Sequence, residues 1–157
     1  MSAVIDSHHD DHHHGPAKGI SRWLYTTNHK DIGSMYLWFS LIMLFIGGAM
    51  AMVIRAELFE PGSQIVSPEF YNQMVTNHGL IMVFGVIMPA FVGFANWMIP
   101  MQIGAPDMAL PRLNNLSFWI LPVAFGILLS TFFMEGGAPN FGWTFYAPLS
   151  TEYAPPT

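Results

Sequence analysis

The sequence predicts an all-α integral membrane fold built on three transmembrane helices. Composition is the first reason: 52% hydrophobic and 15% aromatic residues stand beside 10% charged, where soluble domains carry roughly 25% charged residues. The placement of the charges is the second, because the stretches 32–54, 70–106 and 113–134 contain no Asp, Glu, Lys or Arg. A bilayer core about 30 Å thick is crossed by roughly 20 apolar residues at about 1.5 Å rise each. Each stretch can therefore span once, and buried helices of soluble proteins rarely reach that length without a charge. A net charge of −5 without clustered basic residues excludes nucleic acid as a partner. The absence of cysteine excludes disulfides, thiolate metal sites and Cys nucleophiles, leaving His, carboxylates and backbone to carry chemistry.

Residues 1–19 hold five of the seven histidines, interleaved with aspartate, and no apolar core. By composition they form a disordered, solvated tail, although a His-rich tract also binds metal adventitiously. The tail lacks the apolar run of a secretory signal, so the first hydrophobic stretch reads as a retained anchor. Residues 20–31 form a short amphipathic segment around Arg22, Trp23 and Tyr25, suited to the membrane surface. Helix one is expected over 33–54, closed by Arg55, Glu57 and Glu60 and turned by Pro61 and Gly62. Helix two covers 71–101, with Pro89 near its middle deleting one backbone bond and kinking it. After a turn at 104–107, helix three covers 115–134, with Pro122 in its second turn. The segment 136–157 is rich in Gly and Pro and reads as irregular, offering Trp143 and Tyr146 to an interface.

Lys18, Arg22, Lys30 and Arg112 flank one side of these spans and Arg55 alone the other. The positive-inside rule then puts the N-terminus inside, the loop between helices one and two outside, and the 104–112 loop inside. Three spans with apolar surface all round call for partner helices.

Four groups of residues offer chemistry. His78 is the ionisable residue well inside a span, followed by the apolar run 80–95. Such a group marks function by default, as a haem-iron ligand among Met74, Val75, Ile81 and Met82, or else it hydrogen-bonds to another helix. Arg55 closes helix one where His78 opens helix two, so the hairpin brings both to similar depth. There it either meets an acidic or carbonyl substituent of a cofactor held by His78 or snorkels to the interface. The loop carrying Glu57, Glu60, Gly62 and Gln64 supplies oxygens for part of a calcium site, or solvated carboxylates at a helix end. Asn96, Asp107, Asn114 and Asn115 gather on the inner side, either as the mouth of a proton passage or as turn and cap residues.

The runs 23–33, 71–78, 96–109 and 111–119, extended by 142–149, closely resemble subunit I of the haem-copper respiratory oxidases, nearest its bacterial cytochrome c oxidase members. The likeness covers about residues 20–150 in unbroken order. It implies that residues 20–157 are the N-terminal part of the twelve-helix bundle of that subunit, belonging to a longer polypeptide. His78 is then one of two axial ligands of the low-spin haem a, and Arg55 bonds its formyl group. Trp143 is implied to lie near the haem propionates, and Glu57, Gln64 and the carbonyls of Glu60 and Gly62 to form a calcium or sodium site. Asp107 is implied to be the entrance of a proton uptake pathway, with Asn96 and Asn114 ordering water above it.

The resemblance further implies an enzyme that takes electrons from cytochrome c, reduces dioxygen to water and pumps protons. It would sit in the bacterial inner membrane beside subunits II and III, in contact with the lipid bilayer, with its N-terminus cytoplasmic. The high-spin haem and copper of the complete subunit have no ligands in 1–157, so these residues alone cannot reduce oxygen. A ubiquinol oxidase of the same superfamily shares most of the motifs and is the alternative. A non-catalytic membrane assembly subunit, with His78 as a packing residue, is the rival from another class.

Overall fold

The computed structural model describes residues 19–153, and all regular structure within them is helical. The expected disordered tail lies, but for Gly19, outside the described residues. Three spans emerge, His29–Glu57, Pro68–Ile103 and Pro111–Phe133.

Each span is longer at its start than the sequence suggested. Helix α1 (Ile20–Leu24) is a single turn, and α2 (His29–Glu57) begins at His29 because the Asn28 side chain caps it by accepting from Lys30 N at 2.8 Å. His29, Lys30 and Asp31 are thereby drawn out of the surface segment into the span. The surface turn is tied back by Arg22, which forks onto Asp31 at 2.9 and 3.2 Å. Ser67 caps α3 (Pro68–Leu80), with Pro68 in its first turn, and α5 (Pro111–Ser130) likewise opens on a proline. A 3₁₀ turn, Thr131–Phe133, extends α5.

Between α3 and α4 (Met88–Ile103) the chain is π-helical over Ile81–Ile87, so one span of 36 residues runs unbroken. Pro89 explains the widening. Lacking an N–H, it cannot donate to Gly85 O four residues back or Phe84 O five residues back, and just ahead of it Met88 N reaches Val83 O. Beside this wider turn Ser40 Oγ of α2 donates to Val86 O at 2.9 Å. Gly104, at φ +71°, closes α4 in the left-handed conformation.

Helix α2 is central. It meets α4 at Gly33 and Gly93, where a Cβ added to Gly33 would stand 2.9 Å from Gly93 O, so only glycine allows these backbones to approach. Its other face packs Tyr36 and Phe39 edge-on against Phe118 at 5.2 and 6.3 Å between centroids, and Phe39 against Phe125 at 5.6 Å. Most remaining apolar side chains of the spans, Trp38, Phe45, Phe91 and Ile127 among them, point outward. That is the surface a lipid or a neighbouring helix covers.

Candidate functional site

His78 lies ten residues into its span, about 15 Å along the axis from Pro68. Its Nδ1 lies 2.9 Å from the carbonyl oxygen of Gly47 on α2. A carbonyl only accepts, so the ring proton sits on Nδ1 and Nε2 keeps its lone pair. Histidines that bind metal are held in this way, with the outer nitrogen donating to a backbone carbonyl or carboxylate. Gly47 makes the approach possible: an added Cβ would fall 2.8 Å from Met82 Sδ and 3.1 Å from Ile81 Cγ2. The half-buried imidazole therefore turns toward α2 rather than to lipid, directly ahead of the π-helical stretch. The donor set, one imidazole with a free Nε2 among Met and Ile side chains, fits a haem iron.

Arg55 stands eight residues beyond Gly47, about 12 Å along α2. The hairpin therefore does not bring Arg55 to the level of His78, because His78 is pinned two turns deeper. Arg55 is exposed and makes no hydrogen bond or ion pair among the described residues.

Trp143 comes to Gly79, the residue after His78. The segment after α5 folds back onto α3, and a Cβ added to Gly79 would lie 2.9 Å from Trp143 Cδ1. The indole also meets Phe84 of the π-helical stretch edge-on, with centroids 6.5 Å apart. The irregular segment is thus partly a lid on the helix that carries His78, whereas Tyr146 remains exposed.

In the loop after α2, Glu57 Oε1 accepts from Gln64 N at 2.8 Å, and its Oε2 accepts from Ile65 N and Val66 N at 2.8 and 3.1 Å. Glu57 is a staple that closes the loop on the helix end. Glu60 and Gly62 line a neighbouring cleft of about 520 Å³ with Tyr71 and Asn72, while Gln64 bonds locally to Pro61 O. Among the described residues no three His, Cys, Asp or Glu side chains form a metal-binding group.

At the other end of the spans, Asn114 Nδ2 donates to Asn96 Oδ1 at 2.7 Å, joining α5 to α4. Asn96 is 4% exposed and anchors its own Nδ2 on Val92 O. Asp107 is exposed on the adjoining loop, its Oδ1 accepting from Met108 N, and no direct hydrogen bond joins it to the pair. Asn115 departs from the group to bind Thr26 O.

Sequence reasoning missed four partners. Gly47 and Gly79 supply a carbonyl and a bare surface beside His78. Ser117 and Tyr36 continue the polar line from Asn114, with Ser117 Oγ 2.6 Å from Asn114 O and 2.9 Å from Tyr36 OH. Ser117 was open to discovery, being one helical turn from Asn114. The glycines carry no side-chain signal at all.

A family model described as cytochrome C and quinol oxidase polypeptide I matches residues 31–157. Cytochrome c oxidase subunit 1 of Corynebacterium diphtheriae is 47% identical over 144 residues, covering 90% of this chain and 26% of the relative. The protein of the same name in Corynebacterium glutamicum is 50% identical over 135 residues, 85% of this chain and 23% of its own length. Haem-copper oxidase subunit I+III of Aeropyrum pernix is 46% identical over 137 residues, 87% of this chain and 17% of the relative. The chain spans about a quarter of the length of the Corynebacterium relatives.

Proposed function

The chain belongs to the family of cytochrome c and quinol oxidase polypeptide I, and from that premise we propose that it forms the part of a respiratory oxidase that holds the low-spin haem and admits protons. The whole activity proposed is acceptance of electrons from cytochrome c, reduction of dioxygen to water and coupled proton translocation. Cytochrome c is preferred to quinol as donor because the Corynebacterium relatives carry it in their names. Subunits II and III are the proposed neighbours in a bacterial cell membrane. The N-terminus is placed on the cytoplasmic side, since Arg22, Lys30 and Arg112 share the end that carries Asn96 and Asn114, opposite Arg55.

One observation carries the haem reading: the bond from His78 to Gly47 O, which leaves Nε2 as the free ligand atom. When bound, haem a supplies one-electron transfer at a potential set by its axial ligands and surroundings. Gly47 O fixes the ring's tautomer and orientation. Arg55, unpaired among the described residues and two turns from Gly47, suits a carbonyl substituent at the cofactor's edge rather than the iron. Trp143 covers the helix beside His78 and limits access of water there.

The proton reading rests on the Asn96–Asn114 pair behind Asp107. The Asp107 carboxylate takes a proton from the aqueous side. The two amides do not titrate, so water must carry the proton past them, ordered by their remaining donors and acceptors. Ser117 and Tyr36 extend the same polar line between α5 and α2. Copper and the high-spin haem are assigned to other parts of the complete subunit. For calcium, Glu60, Gly62 and Gln64 offer oxygens, but both oxygens of Glu57 already serve backbone donors, and no step is derived through that ion.

The test is His78→Ala in the complete oxidase, which should abolish the absorption band of the low-spin haem. An unchanged band removes haem ligation from the account. The pyridine spectrum of the extracted haem separates an a-type oxidase from the quinol alternative.

A further inference from the structure

The face of α3 just ahead of His78 is polar, although it lies well inside a span. Thr76 is 1% exposed and Asn77 is fully buried. Side chains of this kind are costly in an apolar interior unless paired, and their pairing is to the segment that follows α5. Thr76 Oγ donates to Asn72 O at 2.7 Å and accepts from Gly142 N at 3.0 Å. Asn77 Nδ2 uses one hydrogen on Gln73 O at 2.8 Å and the other on Pro139 O at 3.3 Å. Just ahead of these two ties Ala138 is 1% exposed, and a Cβ on Gly137 would run into Gln73 Nε2. Asn77 Oδ1 finds no donor among the described residues. Reversing the amide would set that oxygen against two carbonyls, so the two bonds from Nδ2 fix its orientation.

We propose that Thr76 and Asn77 are positioning residues that latch residues 137–143 onto the helical turn of His78 and so seat Trp143 beside the group that His78 holds. The latch rests on the haem reading of His78 for its purpose, though not for its existence. Thr76 and Asn77 immediately precede His78, and Gly79, which receives the indole, immediately follows it. The imidazole and the indole are therefore placed from one helical turn, and the two ties are what stop the segment from sliding. Trp143 keeps 46% of its surface open, which leaves the indole free to meet a bound group.

The experiment uses the complete oxidase with Thr76→Val, Asn77→Ala and the conservative Thr76→Ser. Two quantities are measured: amide hydrogen exchange over residues 137–145, and the absorption band and reduction potential of the low-spin haem. Thr76→Val and Asn77→Ala should each speed exchange by roughly tenfold, as expected for the loss of one buried hydrogen bond. Haem content should stay at the unsubstituted level, with band and potential displaced, and Thr76→Ser should return both toward their original values. If Asn77→Ala fails to assemble, the near-isosteric Thr76→Val decides alone. Unchanged exchange overturns the latch. Faster exchange with band and potential unmoved overturns the positioning role. If His78→Ala, run in parallel, keeps the low-spin band, the haem reading falls and the positioning claim with it, while the exchange data still establish whether the latch exists.

Discussion

His29 Nδ1 lies 2.9 Å from the carbonyl oxygen of Asn96, the carbonyl that Pro100, four residues on, leaves without an intrahelical donor. A proline inside a transmembrane helix is tolerated where a neighbour meets the freed backbone group, and here the neighbour is the first residue of α2. His29→Ala should therefore leave a buried carbonyl unpaired and cost about 1–3 kcal/mol. In a Pro100→Ala background, where the backbone N–H is restored, the same substitution should cost clearly less. Thermal unfolding of the four proteins of this double-mutant cycle measures the difference, and equal costs in both backgrounds would show that His29 does not serve the proline.

Gly47→Ala tests the seat of His78 without touching the imidazole. The new methyl would stand within 3.1 Å of Met82 Sδ and Ile81 Cγ2, so the first π-helical residues must move away from α2. Overpacking of this kind costs about 1–3 kcal/mol. His78 Nδ1 should be drawn off the Gly47 carbonyl, lowering the content of low-spin haem in the purified oxidase. Full content with an unshifted band would mean that the carbonyl is dispensable.

Glu57 accepts three backbone N–H bonds, and those amides report on it directly. Glu57→Ala should raise the exchange of the Gln64, Ile65 and Val66 amides at least roughly tenfold. Removing calcium from the unsubstituted oxidase should leave the same amides unchanged, because the staple needs no ion. Faster exchange on chelation would instead assign the loop's order to a bound cation.

The spans were legible because absence of charge over 20 or more residues is a property of the sequence alone. Their starts were not, since His29, Lys30 and Asp31 look like a surface segment until the Asn28 cap draws them into α2. Pro89 was visible as a disturbance, but not that the turns ahead of it are π-helical, with Met88 N reaching Val83 O. His78 could be singled out by its isolation in an apolar run. Its partner could not, because a backbone carbonyl is common to every residue and only the bareness of Gly47 selects that one. The docking of Trp143 was illegible for the same reason, as it depends on what Gly79 lacks. The Asn96–Asn114 bond joins two residues that the sequence had already grouped, and only the contact itself needed the fold.

That contact supplies the sharpest test of the proton reading. Asn114→Ala removes the donor to Asn96 Oδ1 and leaves a buried amide oxygen open to water, without altering a charge or touching His78. If the pair orders water behind Asp107, turnover limited by proton uptake should slow by roughly tenfold while haem content and the low-spin band stay intact. Asp107→Asn should slow it too, because it removes the titrating group at the entrance. Combining the two should add little, since both act on the same passage and a blocked entrance hides a disordered interior. Proton uptake measured in a single turnover separates this from a folding defect, which would lower haem content as well. Unimpaired turnover and pumping in both single variants would send Asn96 and Asn114 back to a purely structural role, as the polar clasp between α4 and α5.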